Sequence, residues 1–360
     1  MLRLPRFRVL SPRTYREAAT LLREHGAAEL DRARGTQTLR VMLVAGGTDL
    51  FPNMKRRQFA PELLVSLAGV RDAAGIHENG RLEISAGTTL TAVAADARVR
   101  ERYTALAQAA EVVSTPQLRN MGTIGGNVCL DTRCNWYDQS LFWRTAEGFC
   151  MKTNPEVVCR VATSSPLCLA VASADTVPAL LVLGATVHLE DADGGREVAL
   201  ADLYREDGIR AWALRQDEVL TDVTVPRADG WRSTYLKLRD RGSFDFPIAA
   251  VAAAVRHDGT RVAEARVAIT ALGSRPVLVA PAGAAPVGTN LEDDAIGVRF
   301  DETPITAEKV LDALGKRDNR GLVKSRIGPD GLGDGKADPA RAMRRLGAST
   351  EGRERKRTPS

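Results

Sequence analysis

The chain has 360 residues, 44% of them apolar and 26% charged, which is enough apolar material for a buried core and places it outside the disordered and fibrous classes. At roughly 100–200 residues per domain, that length points to two or three domains. The net charge of +5 belongs to the end of the sequence: residues 316–360 hold 13 Lys and Arg against 6 Asp and Glu, which leaves the rest at −2 and argues against a basic, nucleic-acid-binding body.

The opening MLRLPRFRVLSP is basic but has no apolar region behind it, so it reads as the start of a mature protein and not as a signal peptide. Thr14 to Glu17 has the spacing of a capping box, and a helix is expected through Leu22 to Gly26. Val41 to Val44 reads as a short strand that runs into the glycine turn Ala45-Gly46-Gly47-Thr48-Asp49, and Leu63 to Leu67 as a second strand. Asn79-Gly80 marks a hairpin. Helical patterns cover Leu90–Val99 and Glu101–Val113, and Asp175 to Glu190 predicts a short helix followed by a strand. Residues 166–187 are the most apolar stretch, but Asp175 and Pro178 interrupt them, whereas a membrane-spanning helix wants about 20 apolar residues. No membrane association is expected, and the cytoplasm is the expected location. Beyond Val225-Pro226, the segments Tyr235–Leu238, Ile248–Arg256 and Arg261–Ala271 read as strands or as a mixture of strand and helix. Together these elements predict an α+β or mixed α/β protein. From Gly315 the chain is rich in Gly, Asp and Arg and is expected to be poorly ordered.

Two double-glycine segments carry the first chemistry: Leu43-Val44-Ala45-Gly46-Gly47-Thr48-Asp49-Leu50, and Asn120 to Asn127 with Gly122, Thr123, Gly125 and Gly126. Glycines let a ligand approach the main chain closely, and successive N–H groups form a nest that suits a pyrophosphate. Each segment alone reads equally well as a tight turn. Neither is a P-loop or a G-x-G-x-x-G fingerprint. Two such loops would grip one extended dinucleotide from two sides.

All five cysteines lie between positions 129 and 168: Cys129, Cys134, Cys150, Cys159 and Cys168. An odd count in a cytosolic setting disfavours disulfides, and ordinary packing accounts for one or two thiols, such as Cys129. Zinc competes for the remainder, but zinc ligands usually come in closely spaced pairs. Here 15, 8 and 8 residues separate Cys134, Cys150, Cys159 and Cys168. Such wide spacing suits an iron–sulfur cluster gathered from a long loop, with zinc left open. The four histidines, His25, His77, His188 and His257, are scattered and near no motif. No nucleophile–base pair is visible, which fits a redox relay better than proton chemistry on a substrate.

LVAGGTDL at 43–50, TPQLRNMGTIGGNVC at 115–129, ADTVPALLVLGA at 174–185 and YLKLRDRGSFDFPIAAVAAAV at 235–255 occur in the order found in the FAD-binding medium subunits of the xanthine dehydrogenase and molybdenum hydroxylase family, which the chain resembles. That resemblance implies a two-part FAD-binding domain of the molybdopterin-dehydrogenase type over 1–228, with parts at about 1–58 and 59–228. A smaller α+β domain over 229–315 and the basic tail 316–360 would follow. Asn127 and Asp175 stand 48 positions apart, where most members have a short connection. The excess is an insertion over about 130–170, and its CLDTRCNWYDQS text is similar to medium subunits of the 4-hydroxybenzoyl-CoA reductase type, which carry a 4Fe-4S cluster in this loop.

Carried over, the resemblance implies that residues Leu43 to Leu50 hold the FAD pyrophosphate and that Thr123, Gly126 and Asn127 line the second loop. It implies that Asp175 hydrogen-bonds FAD, that Lys237 contacts it from the C-terminal domain, and that Leu220 forms an apolar wall. Cys134, Cys150, Cys159 and Cys168 would bind the cluster. Read from the residues alone, Asp175 would cap the helix that Pro178 begins and Lys237 would be a solvated strand residue. The implied partners are a large molybdenum-cofactor subunit, a small 2Fe-2S subunit, in two copies each with this chain, and a ferredoxin-like donor. The implied activity is reductive dehydroxylation of an aromatic acyl-CoA on the large partner. The alternatives are another molybdenum hydroxylase of xanthine, CO or aldehyde type, and a zinc-stabilised structural subunit.

Overall fold

The structure, a computed structural model, describes residues 3–26, 28–31, 36–71 and 73–289. The chain divides into two compact units, Met1–Ala307 and Glu308–Ser360; the second unit lies outside the described residues, as do the expected tail over 316–360 and the end of the expected domain over 229–315.

The first helix, Tyr15–His25, begins as its capping box requires: the Thr14 hydroxyl accepts from the Glu17 N–H. The return arm reaches one residue further upstream than the usual box, since the Glu17 carboxylate takes the Arg13 N–H at 2.6 Å. Ala18, Ala19 and Leu22 form the buried face of this helix. They share a small core with Val41, Leu63, Val65 and Val219, against a three-stranded parallel sheet ordered Arg8–Leu10, Leu63–Ser66, Val41–Val44.

Asn79-Gly80 turns the hairpin between Ile76–Glu78 and Arg81–Ser85, with Gly80 at φ 72°. That hairpin forms one edge of a five-stranded antiparallel sheet whose central strand is Val219–Pro226, paired with Arg81–Ser85 on one side and Thr186–Glu190 on the other. Val219 reaches the small core, whereas Val223 and Val225 join the large one, so this strand ties the two together.

Where two helices were expected over 90–113, three form: Leu90–Ala95, Ala97–Arg102 and Thr104–Glu111. The physical reason is local. The Asp96 carboxylate accepts from the N–H groups of Arg98 and Val99 and starts a new helix inside the apolar repeat. The second glycine segment also closes into a short helix, Ile124–Val128, capped by Thr123. Downstream, the expected mixture of strand and helix is strand throughout: Trp231–Leu238, Ala249–Asp258, Arg261–Thr270 and Val277–Leu278 form a four-stranded antiparallel sheet. Ala250, Ala252 and Ala254 alternate onto its buried face, and their small side chains let the helix Thr176–Val182 lie close against the sheet. The result is α+β.

Candidate functional site

The first glycine loop leaves the carboxyl end of a parallel strand, Val41–Val44, where α/β layouts place their ligands. It turns through 45–49 into the helix Leu50–Lys55. Gly46 touches the second loop: a Cβ there would overlap the Met121 carbonyl, so the two loops meet only because this residue has no side chain. Both loops line one cleft of about 680 Å³, within the ordinary range for a bound organic ligand.

The two loops differ in what they leave free. In the second, the N–H groups of Ile124 and Gly125 donate to the carbonyls of Thr88 and Ala86, and Gly126 donates to the Thr123 hydroxyl. Among the described residues, the N–H groups of Gly46, Gly47, Thr48 and Asp49 donate to no protein acceptor. The anion nest therefore lies on the first loop, and a pyrophosphate fits its unspent donors. The second loop serves as wall and spacer.

All the residues singled out at Leu43 to Leu50, with Thr123, Gly126, Asn127, Asp175 and Leu220, line this cleft; Lys237 does not. Its amine is turned away and holds Asp175 from behind, at 3.0 Å from Oδ2, while also donating to the carbonyls of Asp245 (2.8 Å) and Val112 (3.2 Å). It is 2% exposed and so is not a solvated strand residue. The Tyr235 hydroxyl donates to the other Asp175 oxygen at 2.6 Å. Burial pushes the Asp175 carboxyl up, and Lys237 and Tyr235 oppose that rise. Burial pulls Lys237 down in turn, opposed by Asp175. Asp175 does not cap its helix with its side chain. That helix is tied from the second loop, where Asn127 Oδ1 accepts from Thr176 N–H (3.2 Å) and hydroxyl (2.6 Å).

Sequence reasoning missed Arg133. Its guanidinium donates to Asp49 of the first loop at 3.0 Å, pairs with Asp138 at 3.2 Å and lies 4.0 Å over the Phe246 ring, so one side chain joins the loop, the cysteine segment and the 239–248 connection. Burial pushes the Asp49 carboxyl up, and Arg133 opposes it. Nothing in the sequence sets Arg133 apart from the other arginines except its place beside Cys134.

The cysteine segment has one helix, Leu141–Ala146, capped by Ser140, and is otherwise irregular. Cys129 stands apart from the other four: it lines the cleft, and burial alone pushes its thiol up to about 12. The other four sulfurs meet polar donors. Burial raises Cys134, opposed by the N–H groups of Trp136 and Tyr137. Burial also raises Cys168, to about 11, opposed by the Ala170 N–H and by Lys152. At Cys159, burial is outweighed by the N–H groups of Ala162, Leu169 and Val161, and the thiol lies below its usual range. Cys150 Sγ lies 3.9 Å from the Thr153 hydroxyl. These thiols also feel one another's charge: Cys150 pushes Cys134 up, and Cys159 and Cys150 push Cys168 up. Among the described residues, no three His, Cys, Asp or Glu side chains stand close enough to hold a single metal ion. A tetrahedral zinc site would draw its sulfurs to roughly 3.8 Å apart, from Zn–S bonds of about 2.3 Å, whereas a cubane cluster holds them further apart. Among the described residues no helix is long and apolar enough to cross a membrane.

Residues 5–228 match the family described as the FAD binding domain in molybdopterin dehydrogenase. The chain is similar to the aldehyde oxidoreductase FAD-binding subunit PaoB of Escherichia coli, at 32% identity over 65% of this chain and 75% of that one. It is 28% identical to the nicotinate dehydrogenase FAD-subunit of Eubacterium barkeri, over 71% of each chain. The carbon monoxide dehydrogenase medium chain of Afipia carboxidovorans is 29% identical over 70% of this chain and 74% of that one. Among solved structures, a chain of the Cu,Mo-CO dehydrogenase shares the fold, with a TM-score of 0.63 over 87% of this chain and 95% of the other at 24% identity.

Proposed function

The chain belongs to the family of FAD-binding medium subunits of molybdenum hydroxylases, and from that premise we propose that it relays electrons between FAD in the glycine-loop cleft and an iron–sulfur cluster on Cys134, Cys150, Cys159 and Cys168, in the service of a molybdenum-bearing partner subunit. Bound FAD supplies the exchange of electrons singly or in pairs, so one-electron and two-electron partners can be connected. The chain's own residues do the holding. Gly46 to Asp49 offer four unspent N–H donors to the pyrophosphate. Asp175, fixed by Lys237 and Tyr235, presents a buried carboxylate to the cofactor's donors. Leu220 gives the apolar wall. The division at 1–228 and 229–315 belongs to the same reading, as does an assembly with large molybdenum and small 2Fe-2S subunits.

The observation that carries the cluster is the contrast among the five thiols. Nearby backbone N–H groups hold the Cys134, Cys159 and Cys168 thiols down against burial, a hydroxyl lies 3.9 Å from Cys150 Sγ, and at Cys129 burial acts alone. Donors of that kind stabilise metal-bound thiolates and tune a cluster's potential.

Two substrate readings follow. The named relatives are aldehyde, nicotinate and carbon monoxide enzymes, which supports service to an oxidising hydroxylase that passes electrons outward. The cysteine-bearing insertion and its text support the 4-hydroxybenzoyl-CoA reductase-like reading, with a ferredoxin-like donor feeding electrons inward.

The test is anaerobic purification of the complex, with flavin, iron, zinc and acid-labile sulfide measured for the wild type and for Cys150→Ala. FAD together with four-iron content that the variant loses is the expected result. Zinc in place of iron, or iron content indifferent to Cys150, would remove the cluster and leave a flavin subunit. Turnover of an aldehyde against that of an aromatic acyl-CoA then separates the two substrate readings.

A further inference from the structure

Lys152 belongs to none of the motifs, yet its side chain is 1% exposed. Its amine donates to Asp131 Oδ1 at 2.8 Å, to the Thr132 hydroxyl at 2.5 Å and carbonyl at 3.2 Å, and to the Gly208 carbonyl at 2.7 Å, and it lies 4.8 Å over the Tyr137 ring. A buried ammonium is tolerated only where it is paired and hydrogen-bonded, and Asp131 is its carboxylate partner. The second Asp131 oxygen, Oδ2, is buried with no hydrogen-bond partner among the described residues, and Asp131 lines the cleft. On its other side, Lys152 borders the cysteine site in three ways. It follows Cys150 by two residues. Tyr137, beneath it, donates its N–H to the Cys134 carbonyl at 2.9 Å. Gly208, whose carbonyl it holds, donates its own N–H to the Cys168 carbonyl at 2.8 Å and lies so near that a Cβ would stand 2.8 Å from Cys168 Sγ.

One cation and one anion therefore stand in line between the flavin cleft and the four thiols, in a water-poor wall where charge acts at a distance. We propose that Lys152 and Asp131 are positioning residues that set the reduction potentials of the two sites relative to each other, with Lys152 favouring electrons on the cysteine-held cluster and Asp131 disfavouring them on the flavin. The inference rests on the FAD and cluster reading given above. It assigns a sign to each residue. A fixed positive charge stabilises an added electron nearby, and a fixed negative charge opposes one.

The test is a spectroelectrochemical titration of the purified complex, following flavin absorbance and the EPR signal of reduced iron in the same sample. Asp131→Asn, close in size to the native residue, should move the flavin midpoint upward. Lys152→Met should move both midpoints downward, the iron signal most, and Lys152→Arg should restore them. A change in packing alone does not give opposite signs for the two residues. Midpoints that stay put in Asp131→Asn and Lys152→Met with both cofactors retained, or that shift in the same direction, would overturn the proposal. If Lys152→Met fails to assemble, Asp131→Asn alone decides: an upward flavin shift upholds the proposal, and no shift overturns it. A wild-type complex with flavin but no iron strikes the cluster reading instead, and the flavin arm still judges the pair.

Discussion

Lys237 and Asp175 are 2% and 4% exposed, and each depends on the other for its charge. Removing one partner of a buried pair costs about 3–5 kcal/mol, because the other is left uncompensated. We expect Lys237→Met to lower the thermal stability of the FAD-loaded subunit accordingly and to reduce its flavin content, read from absorbance after gel filtration. An unchanged melting temperature would mean that Asp175 does not need the amine. A second carboxylate gives a pH signature. Burial alone would raise the Glu218 carboxyl, but Arg196, in two contacts of 2.6 and 2.9 Å, and the Arg215 N–H at 2.7 Å bring it below its ordinary range. A depressed folded value means that the stability from Glu218 is present above the unfolded value of about 4.3 and is lost as pH falls through the folded one. Acid unfolding curves of Glu218→Gln should therefore be flatter than wild type below about pH 4; parallel curves would show the pair to be inert. At this scale the sequence was legible only where a residue sat inside a motif. Asp175 was marked by its motif, but its anchors Tyr235 and Lys237 lie some sixty positions away, and only the folded sheet shows that both point at it.

Elements with local signals formed where the sequence placed them: the capped helix after Thr14, the hairpin at Asn79-Gly80 and the helix before Thr186–Glu190. The strand Val219–Pro226 was visible only as an ending at Val225-Pro226, because its role depends on pairing with Arg81–Ser85 and Thr186–Glu190, partners that no local period reveals. The break at Asp96 was missed for the opposite reason: a short-range cap overrode a long apolar repeat. The two glycine loops show how a local signal becomes a tertiary one, since Gly46 is required by the Met121 carbonyl of the other loop and not by its own turn. Forcing a methyl group into a tight contact costs roughly 1–3 kcal/mol. If the loops separate to accommodate it, FAD affinity in Gly46→Ala should fall on the order of ten-fold or more, at about 1.4 kcal/mol per decade. Flavin fluorescence quenching measures this directly, and wild-type affinity in the variant would dissociate loop contact from cofactor binding.

Across the molecule, the cleft and the cysteine segment rest on different kinds of support. The cleft is framed by sheets with a large shared apolar core. Between Cys134 and Cys168 there is one short helix, and the buried anchors include Arg144, which donates to the carbonyls of Arg57 and Gln139, and Lys152, which holds Asp131, Thr132 and Gly208. Hydrogen bonds to buried cations fix positions but supply little apolar burial, and among the described residues the segment contributes no member to the apolar cores; on the proposed cluster reading, its order would depend on what the four thiols hold. Metal binding of this kind is folding free energy for the part that carries the ligands. Iron removal by chelation under reducing conditions should therefore raise amide hydrogen exchange across residues 134–168 while strands such as Arg81–Ser85 and Val219–Pro226 keep their protection. A direct route for the loss to reach the cleft is Arg133, whose guanidinium pairs with Asp138 of the segment and bonds Asp49 in the first glycine loop, so a smaller rise is expected at residues 45–50. Unchanged exchange over 134–168 after complete iron loss would mean that Lys152 and Arg144 hold the segment unaided, whereas exchange rising equally in the sheet strands would mean that cluster and flavin domain unfold as one unit.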